Sequence, residues 1–287
     1  MKRKTNTFKI FTFFMLFVFS FTLCADEKTE SPKALNLIEL LMLKGELTQG
    51  SAVRGKIPGN SQLWLNDQAI KTTPQGEFFI GFGRDAELVQ MLALKQADAE
   101  PIQQALRLTK REYRLQEVNG VPQKTVTPKP ENLARIQAEN ALIAEARAID
   151  SEHRFFLETF VAPMDAAISG VYGSQRIYNG IPKRPHFGVD YAGPVGAPVY
   201  APASGKVTMT HADMFYSGGT LIIDHGYGVS SSFLHLSEIL VEQGQVVKQG
   251  DLIAKVGKGG RASGPHLDWR INWFDVRIDP LKVLKIQ

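Results

Sequence analysis

The chain has 287 residues, 44% of them hydrophobic and 22% charged, which is long enough for two domains and a sizeable core. Its formal charge is +4, but Lys2, Arg3, Lys4 and Lys9 account for all of it, since no acid precedes Asp26. The remainder is neutral, so the charge balance excludes any argument for a nucleic-acid partner.

The basic start, an uncharged apolar run over residues 10–23 and the small residue Ala25 read as a secretory signal peptide over residues 1–25. A run of about fourteen residues is short for a membrane span. The alternative is an uncleaved amino-terminal anchor. Lipidation at Cys24 is disfavoured by the large Leu23 before it. Cys24 is the only cysteine, so a mature chain cut after Ala25 has neither disulfides nor thiol chemistry. These features predict an exported protein, periplasmic or extracellular, whose mature form does not span the membrane.

Residues 26–32 are polar and read as a linker. Residues 33–125 read as a small antiparallel β-sandwich-like domain. Within it, residues 61–65 and 68–72 flank the turn signal Asn66-Asp67, and strands follow at 77–82 and 113–118. This part carries no acid–base or ligand cluster, and Trp64 and its phenylalanines are read as core, not as a sugar-binding platform. Residues 126–157 form a connecting helix or linker. Prolines 128 and 130 precede a helical pattern over 131–153 with an apolar stripe at Leu133, Ile136, Ile143, Ala146 and Ile149. Residues 158–287 are glycine-rich and broken into short strands, at 205–210, 219–224 and 229–235, with Leu234 and His235 on opposite faces. Residues 246–254 read as a hairpin turning at 248–250. The whole is mostly antiparallel β.

Three stretches of this last part carry chemistry. His186-Phe187-Gly188-Val189-Asp190 supplies an imidazole and a carboxylate four positions apart, with Gly188 allowing a tight bend between them. Gly264-Pro265-His266-Leu267-Asp268 supplies the same pair two positions apart, which on a strand places both on one face. Between them lies Phe233-Leu234-His235-Leu236. Imidazole and carboxylate are zinc ligands, and a catalytic zinc site needs three protein ligands and one open position. Of the other histidines, His225 follows Asp224 in a turn and reads as a structural hydrogen-bonder, while His211, a strand-end residue, and His153, part of the connecting helix, lack a partner at ligand spacing.

H-x-G-x-D, then a segment with His-Leu, then S/T-G-P-H-L-x-W resembles the signature of the lysostaphin-like, LytM-type zinc metallopeptidases that cut peptide cross-links in bacterial cell walls. The resemblance covers roughly residues 158–287. It implies a β-sheet groove of the duplicated hybrid motif type, with one Zn²⁺ on its floor. His186, Asp190 and Asp268 take the ligand positions, and His235 and His266 act as general base and oxyanion donors. The implied activity is that of an exported metalloendopeptidase acting on peptidoglycan cross-links or stem peptides, with other envelope proteins as further partners. In that family the last motif ends H-x-H, whereas this chain has His266-Leu267-Asp268. Two aspartates formally cancel the metal's charge, so the ion polarises a carbonyl less. The alternative class is a weakened or metal-free regulator that activates other wall hydrolases.

Overall fold

Among the residues described by the structure, a computed structural model covering 36–97 and 99–287, strands dominate and no helix is long and apolar enough to cross a membrane. The leader assigned to residues 1–25, with Cys24, lies outside the described residues.

Two antiparallel sheets build the amino-terminal part. β1 (Ala52–Lys56) pairs with β4 (Glu77–Gly81), while β2 (Ser61–Leu65), β3 (Gln68–Ile70), β5 (Val89–Gln96) and β6 (Ile102–Arg107) form a sheet in the order β3-β2-β5-β6. Asn66 and Asp67 both have positive φ, 48° and 65°, as the two-residue turn joining β2 and β3 requires. Leu63, Leu65, Phe78, Ile80, Leu92 and Leu106 form the shared core, closed at one end by Leu37 and Leu41. Trp64 departs from the expectation. It alternates with Leu63 and Leu65, so it faces away from this core and is only half-buried.

The strand expected at 113–118 forms, as β7 (Leu115–Val118), but it does not join these sheets. It pairs in parallel with β9 (Gln175–Tyr178), which is antiparallel to β10 (Ile181–Pro182). No position of β7 is fully buried, so it has no apolar face to add to the amino-terminal core.

The carboxy-terminal part is a ten-stranded antiparallel sheet. Its main path runs β16 (Val246–Val247), β13 (Gly205–Met214), β14 (Gly218–Gly226), β15 (Val229–Ile239), β18 (His266–Trp273), β11 (Val189–Ala192) and β8 (Ile168–Gly170). β12 (Pro198–Tyr200), β17 (Leu252–Val256) and β19 (Val276–Ile278) complete it. The hairpin expected over 246–254 is not one. The turn exists, with Gly250 at φ 85° and the Asp251 N–H donating to the Lys248 carbonyl at 3.0 Å. Its two arms separate, however: β16 pairs with β13, and β17 with β12 and β15. Val247, Ile253 and Ala254 are thereby all carried into the main core, alongside Leu221, Ile223, Phe233, Leu267, Trp269 and Ile271.

The connecting helix is shorter than its sequence pattern. After α1 (Leu37–Leu40) and α2 (Gln123–Val126), α3 spans Leu133–Arg147, and His153 lies beyond it. Ile136, Ile143 and Ala146 turn inward, the last two against Met209, Met214 and Ile222, whereas Leu133 and Ile149 stay exposed. The buried Glu139 accepts from Arg135 Nε at 2.6 Å and from the Phe215 N–H at 2.8 Å, which pins the helix to β13 and the turn after it.

Candidate metal centre

The position of β18 between β11 and β15 sets the geometry of the site. Asp190 on β11 lies opposite Asp268 on β18, and Leu234 on β15 lies opposite Asp268 from the other side. Opposed residues of an antiparallel pair share a face. Both carboxylates therefore face a cleft of about 720 Å³, bounded on one side by α3. Along β18, Leu267, Trp269 and Ile271 enter the core, while His266, Asp268 and Arg270 line the cleft.

His186 arrives from the loop before β11. Its backbone N–H donates to the Ser174 carbonyl at 2.8 Å, and its own carbonyl accepts from the Gly173 N–H at 2.7 Å. Its Nε2 then lies 3.0 Å from Asp190 Oδ1. The glycine between them acts differently from the expected bend. Gly188 does not need a left-handed φ; a Cβ there would stand 2.3 Å from Asp268 Oδ1, so it is glycine because the carboxylate packs against its α-carbon.

His235 also departs from expectation. Simple alternation puts it on the face opposite Leu234, yet both line the cleft. His235 has φ 64°, a left-handed backbone that is strained for a residue with a side chain, and its N–H donates to the Ser217 carbonyl at 2.7 Å. The β14–β15 register slips beside it, between Gly219 and Leu221, and this local break turns the imidazole into the site. The rings of His235 and His266 lie 4.7 Å apart between centroids. Each places Nδ1 against a carbonyl, Gly259 O at 2.7 Å and Gly264 O at 2.9 Å. A carbonyl only accepts, so Nδ1 carries a proton in both rings, and in the neutral imidazole it is Nε2 that holds the lone pair.

The charges around the two aspartates are specific. Arg176 Nη2 donates to Asp190 Oδ2 at 2.7 Å. Arg270 grips Asp268 with Nε to Oδ1 at 2.9 Å and Nη2 to Oδ2 at 2.5 Å. Burial pushes both carboxyls up, but the neighbouring His186 ring and these guanidiniums outweigh it, so both sit below the usual carboxylate range and are ionised. Burial first, then the neighbouring His266 ring, lowers His235 to about 4. Arg176 and Arg270 were not among the sequence candidates. The alternation that pairs His266 with Asp268 extends one step to Arg270, so that signal was present; nothing local links Arg176 to Asp190.

The donor set fits a divalent ion. His186 Nε2 and Asp190 Oδ1 are buried without a hydrogen-bond partner among the described residues. Such atoms are expensive to leave unmet, and a metal meets both. Ligand atoms of His186, Asp190 and Asp268 lie within 4.8 Å of one another. His225 stands apart from this group. It is fully buried, bonded through Nδ1 to Ser204 O at 2.7 Å and through Nε2 to Ser231 Oγ at 2.8 Å.

Comparison with known proteins agrees with this architecture. Residues 184–280 match Peptidase family M23. Over 98 residues, 34% of this chain, the sequence is 42% identical to peptidoglycan DD-endopeptidase ShyB of Vibrio cholerae, covering 23% of that protein. It is 39% identical over 127 residues to peptidoglycan DD-endopeptidase ShyA of the same organism, covering 28% of it. The matched segment thus spans only about a quarter of the length of these relatives. A crystal structure from Pseudomonas aeruginosa, of a chain assigned to peptidase M23, superposes with a TM-score of 0.65 at 26% identity, covering 87% of this chain and 98% of that one.

Proposed function

We propose, from the premise that this chain carries an M23 peptidase domain, that it is an exported zinc metalloendopeptidase hydrolysing peptide bonds in peptidoglycan cross-links or stem peptides. M23 peptidases are metallopeptidases, and the two V. cholerae relatives are named as peptidoglycan DD-endopeptidases. The observation that carries the reading is the buried pair His186 Nε2 and Asp190 Oδ1, which face each other at 3.0 Å at the foot of the cleft with no other partner among the described residues. With Asp268 as the third donor, these residues would hold the ion. A zinc ion supplies Lewis acidity, polarising the scissile carbonyl and acidifying the attacking water.

The rest falls to the chain's own side chains. His235 and His266 present Nε2 lone pairs, held there by the Gly259 and Gly264 carbonyls, and share the roles of proton acceptor from the attacking water and, once protonated, donor to the developing oxyanion. α3 and the sheet wall the cleft around these groups. The test is the zinc content of the purified chain by mass spectrometry, with release of soluble fragments from purified peptidoglycan. One equivalent of zinc and release that stops on chelation are expected; a metal-free, inactive protein overturns the reading.

A specific observation favours a second reading. Arg270 already neutralises Asp268 with a two-pronged ion pair, so the third donor is stable without any ion. On this reading the chain is a metal-free regulator of other wall hydrolases, and zinc content again separates the two.

A further inference from the structure

The cleft holds more guanidinium than its carboxylates use. Arg176 and Arg270 pair with Asp190 and Asp268. Arg147 at the end of α3, Arg261 before β18 and Arg277 on β19 line the same cleft, and none of the three pairs with a carboxylate among the described residues. Arg147 donates one Nη2 bond to Ser232 Oγ at 3.0 Å, while its Nε is buried with no partner among the described residues. The Nε of Arg176, itself only 6% exposed, is likewise unmet. Arg277 lies 4.6 Å over the Phe187 ring, and Arg261 lies 4.6 Å over that of Tyr216. Stacking of this kind positions a guanidinium by its face and leaves its edge of N–H donors free.

This arrangement is unfavourable as it stands. Burial first, then repulsion from Arg270, brings Arg147 down to about 9 and Arg277 down to about 10. Cations withdrawn from water and set beside one another need a counter-charge, and Asp268, already paired with Arg270, is the carboxylate that reaches both Arg147 and Arg277, without an ion-pair contact to either. A divalent ion on the two aspartates would make the cleft more positive still. What satisfies several guanidinium edges at once is a planar anion with two acceptor oxygens, and carboxylate fits that fork.

We propose that the cleft selects peptides by their free carboxylates, with Arg147 on α3 and Arg277 on β19 as the residues that bind them. This rests on the peptidase reading only in calling the ligand a substrate; the binding requires no hydrolysis. Both arginines are positioned for specificity and neither is assigned to the chemistry.

The test titrates the full chain, as isolated, by calorimetry with soluble stem-length peptides, with the same peptides amidated at every carboxylate, and with inorganic phosphate. Free-acid peptides are expected to bind at least about tenfold tighter than amidated ones, the scale of one charge-assisted bond. Arg147→Gln and Arg277→Gln should each remove about tenfold for the free acid and nothing for the amide, with thermal midpoints unchanged or raised because an unpaired buried cation is gone. If one variant fails to fold, the other carries the test. Equal affinity for acid and amide, arginine variants that bind like the parent, or phosphate binding as tightly as the peptide would each overturn the proposal. Because the readout is affinity, an inactive protein that still discriminates acid from amide upholds it while the peptidase reading falls.

Discussion

Asp190 and Asp268 stand directly opposite each other across an antiparallel strand pair, and each is held by its own guanidinium, Arg176 from β9 and Arg270 from two positions further along β18. Two ionised carboxylates facing one cleft repel, and here the arginines offset the repulsion before any metal arrives. Asp268 is the more tightly held, since both its oxygens accept from Arg270. If Asp268 is the third ligand of the proposed metal site, a metal from solution must compete for it with the chain's own Arg270.

That competition can be measured. Arg270→Gln frees the carboxylate and should raise zinc affinity about tenfold, the worth of roughly 1.4 kcal/mol. Asp268→Ala should lower zinc occupancy severely by leaving two protein ligands, and Asp268→Asn should bind less zinc than Asp268→His. Asp268→His makes the site more positive by one charge, so activity should extend to lower pH. The metal-free regulator predicts instead no zinc in the parent and no change in Asp268→Ala. Zinc by mass spectrometry across this set decides.

His235→Ala and His266→Ala should lower peptidoglycan hydrolysis by about 10²–10⁴-fold, the range for a lost proton-transfer group. Zinc content should stay near that of the parent, since neither is among the three proposed ligands. Metal loss in either variant would reassign that histidine as a ligand.

Gly188→Ala tests the close approach. The new methyl would sit 2.3 Å from Asp268 Oδ1 and 2.7 Å from the Trp269 carbonyl oxygen, which is backbone and has little freedom to give. A loss of about 1–3 kcal/mol is expected, together with reduced zinc occupancy. A variant with parental thermal midpoint and parental zinc would show that the strand pair yields at no cost.

Acid stability reports on His225. Burial lowers this histidine from its ordinary 6.5 to about 4, so the unfolded chain binds its proton first as pH falls. Its contribution is full above about 6.5, declines as pH falls toward 4, and is worth roughly 3 kcal/mol across that window. His225→Gln should be less stable at neutral pH, because its bonds to Ser204 and Ser231 are lost or bent, and should show a shallower fall between those limits. Denaturant unfolding of both proteins in chelator, from pH 7 to 4, checks it. Parallel slopes would mean other groups govern the acid limb.

Much of the site was legible because its signals are local. The i, i+2 spacing of His266 and Asp268 places both on the cleft face, as strand periodicity requires. The turn at Asn66-Asp67 is a two-residue signal, and it forms as read. Readings that required a partner strand fared worse. Residues 246–254 carry a turn in their sequence but not the identity of the strands each arm joins, and 113–118 reads as a strand without revealing that it pairs with β9.

By itself, the sequence determined which chemical groups are available and which of them share a strand face, since side-chain direction in a strand depends only on parity. The tertiary structure decided what each group meets. His235 reaches the cleft only because a left-handed φ breaks that parity, and its tautomer is set by a carbonyl at Gly259, on a separate loop. The guanidiniums on Asp190 and Asp268, and the Arg147 that α3 brings to the cleft, arise from strand register and helix docking. Those are sums of many distant contacts, so no short stretch of the chain encodes them.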